Sequence, residues 1–106
     1  MTERKYQTEL IKRLEKRFPG CMVLKTEPAY LQGIPDLIIL WGSRWAMLEL
    51  KANQRARRQP NQNYYLDRLG EMSFSACIYP ENEEEVLNAL QQAFESPRRA
   101  RISKSK

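Results

Sequence analysis

The stretch GIPDLIILWGSRWAMLELKA, residues 33–52, reads as two apolar strands around Gly42-Ser43, yet it contains Asp36, Glu49 and Lys51. Two residues led by glycine suit a type II′ hairpin turn, which places residue 41 opposite 44 and, in the same register, Asp36 opposite Glu49. Their Cβ atoms would then lie about 4.5–5.5 Å apart on one face of the sheet. Lys51 follows Glu49 by two residues, so the pleat turns it to that face as well. Both strands are otherwise apolar on both faces, the pattern of strands covered by helices rather than wetted on one side.

Two carboxylates face to face repel each other, and in a partly buried site one takes up a proton unless a cation lies between them. Mg²⁺ prefers hard oxygen ligands and is usually held by one or two carboxylates together with substrate phosphate oxygens. Asp36, Glu49 and the backbone carbonyl of Leu50 offer such a partial cage, for Mg²⁺ or Mn²⁺. Lys51 would orient or help deprotonate an attacking water, or stabilise charge that builds on a phosphate. Taken singly, Pro-Asp is an ordinary turn cap and Glu-x-Lys the polar end of a strand. Their shared register makes them a site.

Around this hairpin the chain alternates helix and strand signals. Residues 3–18 place Tyr6, Leu10, Ile11, Leu14 and Phe18 at helical spacing, with Thr2 as N-cap and Pro19-Gly20 as the stop. CMVLKTE (21–27) reads as a strand limited by Pro28, followed by DLIIL and WAMLELK in the hairpin. A second helix is expected from Pro60 to Gly70, then a fourth strand in SFSACIY. Asn82 with Glu85 has the spacing of a capping box for a third helix with Val86, Leu87, Leu90, Ala93 and Phe94 as its stripe. The order is α-β-β-β-α-β-α.

Two of these helices place polar residues on apolar stripes. Gln62 lies in the middle of the stripe formed by Tyr65, Leu66 and Leu69, where it must find a partner. It is either a core amide bonded to backbone or a donor that reaches the carboxylates or a phosphate. Glu3 and Gln7 share the face of Leu10, Ile11 and Leu14, whereas Glu9 lies off it, so Glu3 and Gln7 are the preferred site members. Glu3 also suits the first turn through the helix dipole.

Composition narrows the chemistry. The 106 residues suit one domain, 1–96, ahead of a basic tail, 97–106, in which five residues of ten are Lys or Arg. There is no histidine, which removes Ser-His and Cys-His catalysis and His-based metal sites. Cys21 and Cys77 read as small buried thiols rather than a disulfide. Eighteen Lys and Arg against thirteen Asp and Glu favour a polyanionic partner, most commonly a nucleic acid. No apolar run approaches the ~20 residues needed to cross a bilayer, so a soluble, cytoplasmic protein without a membrane partner is expected.

Pro35-Asp36 followed by Glu49-Leu50-Lys51 resembles the PD-(D/E)XK motif of metal-dependent nucleases. The wider set of Gly33, Pro35, Asp36, Glu49, Lys51, Pro60 and Gln62, with Glu3 and Gln7 ahead of it, is similar to the virus-type replication and repair nuclease branch, VRR-NUC. The likeness spans residues 3 to about 94 and departs at Gln59, where the branch often has Ser. It implies an α/β fold with a restriction-endonuclease-like core, a mixed four-stranded sheet flanked by helices. It also implies a Mg²⁺- or Mn²⁺-dependent DNA phosphodiesterase, with Asp36 and Glu49 binding metal and Lys51 assisting attack. Small stand-alone members resemble junction-resolving or flap-type nucleases of phages and bacteria and commonly act as dimers.

Arg55, Arg57 and Arg58 follow the motif directly and are expected to meet phosphates beside the scissile bond. Arg98, Arg99 and Arg101 in the tail would add salt-sensitive affinity by counterion release. A four-way junction needs two symmetric cuts, which calls for a two-fold dimer. Tyr30, Trp41 and Trp45 are aromatics that either stack on unpaired bases or belong to a core or a dimer surface. The rival readings are a non-catalytic nucleic-acid-binding module with the nuclease fold, and a nuclease acting on RNA.

Overall fold

The computed structural model describes residues 1–56 and 61–96. Arg57, Arg58 and Pro60, and the expected tail with Arg98, Arg99 and Arg101, lie outside the described residues. The elements are α1 (Glu3–Arg17), β1 (Met22–Lys25), β2 (Leu37–Trp41), β3 (Arg44–Leu50), α2 (Gln62–Met72), β4 (Phe74–Ile78), a short 3₁₀ turn (Pro80–Asn82) and α3 (Glu83–Glu95). The order is the expected one, in an α/β restriction-endonuclease-like arrangement.

The sheet runs β1-β2-β3-β4, antiparallel through the first three strands and parallel between β3 and β4. A parallel neighbour cannot be reached by a tight turn, and α2 supplies the crossover. Trp41 pairs with Arg44 and Leu37 with Leu48, the register a two-residue hairpin dictates. Gly42 has φ 62° while Ser43 keeps a negative φ, as the first and second positions of a type II′ turn require. Asp36 therefore stands just before β2 and Lys51 just past β3, where side chains can take over from a ladder that has ended.

Alternation along the pleat sorts the two faces. Leu37, Ile39, Ala46, Leu48 and Leu50 join Tyr6, Leu10, Leu14 and Phe18 of α1 and Val86, Leu87, Leu90 and Phe94 of α3 in one core cluster. α2 packs against β3 and β4, and Met47 and Leu66 are buried outside that cluster, on the opposite face. Asp36, Glu49 and Lys51 share this second face. The two face-covering helices α1 and α3 are tied together by Arg13, which donates to both carboxylate oxygens of Glu83 at 2.6 and 2.8 Å, and by the Tyr6 hydroxyl, which donates to Glu83 Oε1 at 2.8 Å.

α1 starts as expected, with Thr2 Oγ1 accepting from Lys5 N at 3.1 Å. Two helix boundaries differ from the expectation. α2 does not stop at Gly70 but continues to Met72. A Cβ at Gly70 would come within 3.2 Å of Ser75 Oγ, so this glycine serves the close approach of α2 to β4 rather than a helix end. Asn82 makes no capping bond to α3. Its side chain instead reaches back, accepting from Tyr79 N at 2.8 Å and donating to the Cys77 carbonyl at 3.0 Å, which fixes the end of β4. Relative to the sequence reading β1 is three residues and β4 two residues shorter, and β2 and β3 are each shifted by one. Neither cysteine forms a disulfide, and both are half-buried.

Candidate active site

The end of the hairpin opens into a cavity of about 380 Å³ lined by Glu3, Pro28, Gln32, Gly33, Ile34, Asp36, Glu49, Lys51 and Gln62. Each wall comes from a different element. β2 and β3 bring Asp36, Glu49 and Lys51, the first turn of α1 brings Glu3, the first residue of α2 brings Gln62, and the loop between β1 and β2 closes the remaining side. A larger hollow of about 550 Å³ lies between α1 and α3, where Glu83 is already bonded to Tyr6 and Arg13. The smaller cavity holds the unmatched charges.

Asp36 Oδ2 accepts the Leu50 N–H at 2.8 Å. The side chain thus replaces the next rung of the β2–β3 ladder and fixes its carboxyl beside β3. In an extended strand the N–H and C=O of one residue point to the same side, so the Leu50 carbonyl faces the same region. Glu49 is only 1% exposed, Lys51 5% and Gln62 6%. Gln62 donates through Nε2 to Glu49 Oε2, and Lys51 Nζ lies 3.4 Å from the same oxygen. Of the two sequence-level alternatives for Gln62, its amide reaches the carboxylate. Glu49 Oε1 is buried with no hydrogen-bond donor among the described residues.

Burial pushes the Glu49 carboxyl up, and the neighbouring Asp36 charge adds to it, against the pull of Lys51, so that it titrates at about 7. Asp36 is likewise raised by burial, opposed by its bond from Leu50 N–H, by Lys51 and by hydrogen bonding with the Glu49 carboxyl. Glu3 is raised by burial and by Asp36, again against Lys51. One amine faces three acids, and the crowding of negative charge shows as this common upward displacement.

This donor set fits a hard divalent cation. The ligands on offer are all oxygen, two carboxylates repel across the gap, and one buried carboxylate oxygen lacks a partner. Among the described residues no three Asp, Glu, Cys or His side chains converge on one point as a complete metal cage. The arrangement is an open pair of the kind Mg²⁺ occupies when phosphate oxygens and water fill the rest of its shell. Asp36, Glu49 and the Leu50 carbonyl would hold such an ion.

Gln7 is half-buried on α1 and does not line the cavity, so of the expected pair the structure brings only Glu3 to the site. Arg55 is exposed just after β3, outside the cavity wall. Sequence reasoning missed Pro28, Gln32 and Ile34 as lining residues, and Gly33 entered only through the motif resemblance. They sit in a loop with no periodicity, and only closeness in sequence to Asp36 hinted at them.

Replacing Gln62 by Leu is expected to leave Glu49 Oε2 with Lys51 alone and to destabilise the fold by about 1–3 kcal/mol. The effect should be larger at pH 8, where Glu49 is charged, than at pH 5. Urea unfolding at both values measures it, and equal stability of variant and wild type at pH 8 would show that the bond is dispensable.

Comparison with known proteins places the fold. A solved structure described as "VRR_NUC domain protein" superposes with a TM-score of 0.63 over 90% of this chain and 89% of its own, at 16% sequence identity. At that identity the likeness is one of fold. No protein-family model and no curated protein matches the sequence.

Proposed function

We propose that this chain is a metal-dependent endonuclease that hydrolyses phosphodiester bonds in DNA, with branched DNA such as four-way junctions or flaps as its substrate. The observation that carries the reading is the pairing of half-buried Asp36 with buried Glu49, Lys51 beside them, and a Glu49 carboxylate oxygen that has no donor among the described residues. The shared fold with a VRR_NUC domain protein supports it. Mg²⁺ or Mn²⁺ held by Asp36, Glu49 and the Leu50 carbonyl would supply positive charge against the scissile phosphate and make a nearby water more acidic.

The chain's own residues do the rest. Asp36 is oriented by the Leu50 N–H, and Glu49 by Gln62, so neither carboxylate has to be immobilised when substrate arrives. Lys51 places a cation where charge grows on the phosphate or where a water must be held. Glu3 lines the cavity and adds negative charge that discourages a phosphate from lodging without a cation. Arg55, Arg57 and Arg58 flank the site in sequence and would hold the DNA backbone, and the basic residues 98, 99 and 101 would add affinity that falls with salt. Two coordinated cuts in a junction require two sites, hence a two-fold dimer.

No described helix is long and apolar enough to cross a membrane. A non-catalytic binding module would have no use for paired acids that repel DNA, so the hydrolytic reading is preferred. The test is incubation of labelled four-way junction, flap and linear duplex DNA, with matched RNA, in Mg²⁺, Mn²⁺ or EDTA, with Asp36→Ala as control and light scattering for subunit number. Metal-dependent cutting of branched DNA, absent in Asp36→Ala, is expected. Tight binding without cutting in any metal would favour the module instead, and preferential cutting of RNA would change the substrate.

A further inference from the structure

The loop between β1 and β2 is a built wall of the cavity. Its base is pinned by Thr26, whose N–H donates to the Asp36 carbonyl at 2.9 Å and whose hydroxyl donates to the Pro35 carbonyl at 2.6 Å. Its first turn is closed by Tyr30 N to the Glu27 carbonyl at 3.0 Å, with Glu27 Oε1 accepting from Ala29 N at 3.0 Å. A second turn is closed by Ile34 N to the Leu31 carbonyl at 3.2 Å. Pro28, Gln32, Gly33 and Ile34 turn to the cavity, but Tyr30 stands out from the same loop, 86% exposed.

The other aromatics considered for base contact have a different role. Trp41 packs edge-on against Phe18 at 5.1 Å between ring centroids and donates Nε1–H to the Pro19 carbonyl at 2.9 Å, and Trp45 is half-buried. Tyr30 is the ring of these three left in water, on a loop whose turns are already bonded, so stacking against it costs little further ordering.

Electrostatics give that ring a use. Glu3, Asp36 and Glu49 outnumber the one amine of Lys51 in the cavity, so without a bound cation the phosphate nearest the site gains little from charge attraction there. Attraction that does not depend on charge has to come from the bases. A paired base in a continuous duplex hides its faces in the stack, whereas an unpaired base at a branch offers one to an exposed ring.

We propose that Tyr30 stacks on an unpaired base beside the scissile phosphate and so selects DNA with unpaired nucleotides at the cut. The inference rests on the DNA-hydrolase reading for what happens next, but the contact itself is a separate claim. The experiment uses the full chain, Tyr30→Ala and Tyr30→Phe, with flap DNA carrying 2-aminopurine at the first unpaired position and a continuous duplex of the same sequence. Binding is measured in EDTA over a salt series, and cutting in Mg²⁺ or Mn²⁺.

Tyr30→Ala should lose roughly 5- to 100-fold in affinity for the flap, the range one aromatic stack supplies. It should also lose the 2-aminopurine fluorescence change and keep the wild-type salt slope and duplex affinity. Tyr30→Phe, which keeps the ring, should match wild type within about threefold. Fluorescence and affinity in Tyr30→Ala equal to wild type would overturn the proposal, and so would conversion of an oligomer to monomer with the base signal intact. If wild type shows the stacking signal but cuts no DNA in any metal, the stacking contact stands and the hydrolase reading falls. If wild type cuts and Tyr30→Ala cuts and binds identically, the reverse holds.

Discussion

Replacing Glu49 by Gln is expected to lower DNA cutting on the order of 10³-fold or more, while affinity for the same DNA stays level or rises. The substitution nearly preserves shape, and the amide oxygen can still accept from Gln62, so the buried site should remain packed. It removes the negative charge that a cation needs and that repels phosphate. Cutting and binding should therefore move in opposite directions, the signature of an interaction used in the reaction rather than in holding substrate. Lys51→Ala should behave the same way in cutting, because Lys51 Nζ is the amine beside Glu49. Asp36→Asn separates charge from structure at the partner acid, since an amide oxygen can keep the 2.8 Å bond from Leu50 N–H. Single-turnover cutting with Mg²⁺ and fluorescence anisotropy with the same DNA measure the two quantities. A parallel drop in both would mean that the acids hold DNA or the fold, and would remove their assigned role.

The centre of the site was legible because one local rule fixed it. A glycine-led two-residue turn between strands apolar on both faces allows one register, and that register alone brings Asp36 to Glu49 and turns Lys51 the same way. Gln62 was legible as a polar residue in an apolar stripe, but its partner was not, because periodicity states which way a side chain points and not what waits there. Gln7 illustrates the same limit: it shares a helical face with Glu3, yet one further turn carries it past the cavity. Glycine at position 70 looked like a helix end because the demand for closeness to Ser75 is tertiary and invisible in a window of sequence. Asn82 looked like a cap for the helix after it and proved to tie the strand before it, since its amide can bond in either direction. The loop wall from Pro28 to Ile34 had no period to read, and the separation of Tyr30 from Trp41 depends on Phe18 and Pro19 being where α1 ends.

The stability of the metal-free protein should fall as pH rises from about 5 to about 8, and divalent metal should cancel much of that fall. Glu49 titrates at about 7 in the fold against an ordinary 4.5, so between these values the folded chain binds a proton that the unfolded chain has released. Stability therefore decreases with pH across the window: the favourable contribution is complete below about 4.5 and is lost as pH climbs through 7. A displacement of this size corresponds to on the order of 3 kcal/mol. Asp36 and Glu3 are displaced in the same direction, so their contributions carry the same sign. Glu49→Gln has no such charge to bury, so it should lose less stability over the same interval and overtake wild type at pH 8 in EDTA. A cation at about a hundred times its dissociation constant should stabilise wild type by about 2.7 kcal/mol, and less at pH 5, where it must displace a proton. In Glu49→Gln the metal effect should largely vanish. Thermal unfolding of both proteins at pH 5, 6.5 and 8, each in EDTA and in Mg²⁺ or Mn²⁺, gives the twelve midpoints needed. A wild-type midpoint in EDTA that rises from pH 5 to pH 8 would mean that the Asp36 and Glu49 carboxylates are not in conflict, and the reason to place a cation between them would go with it.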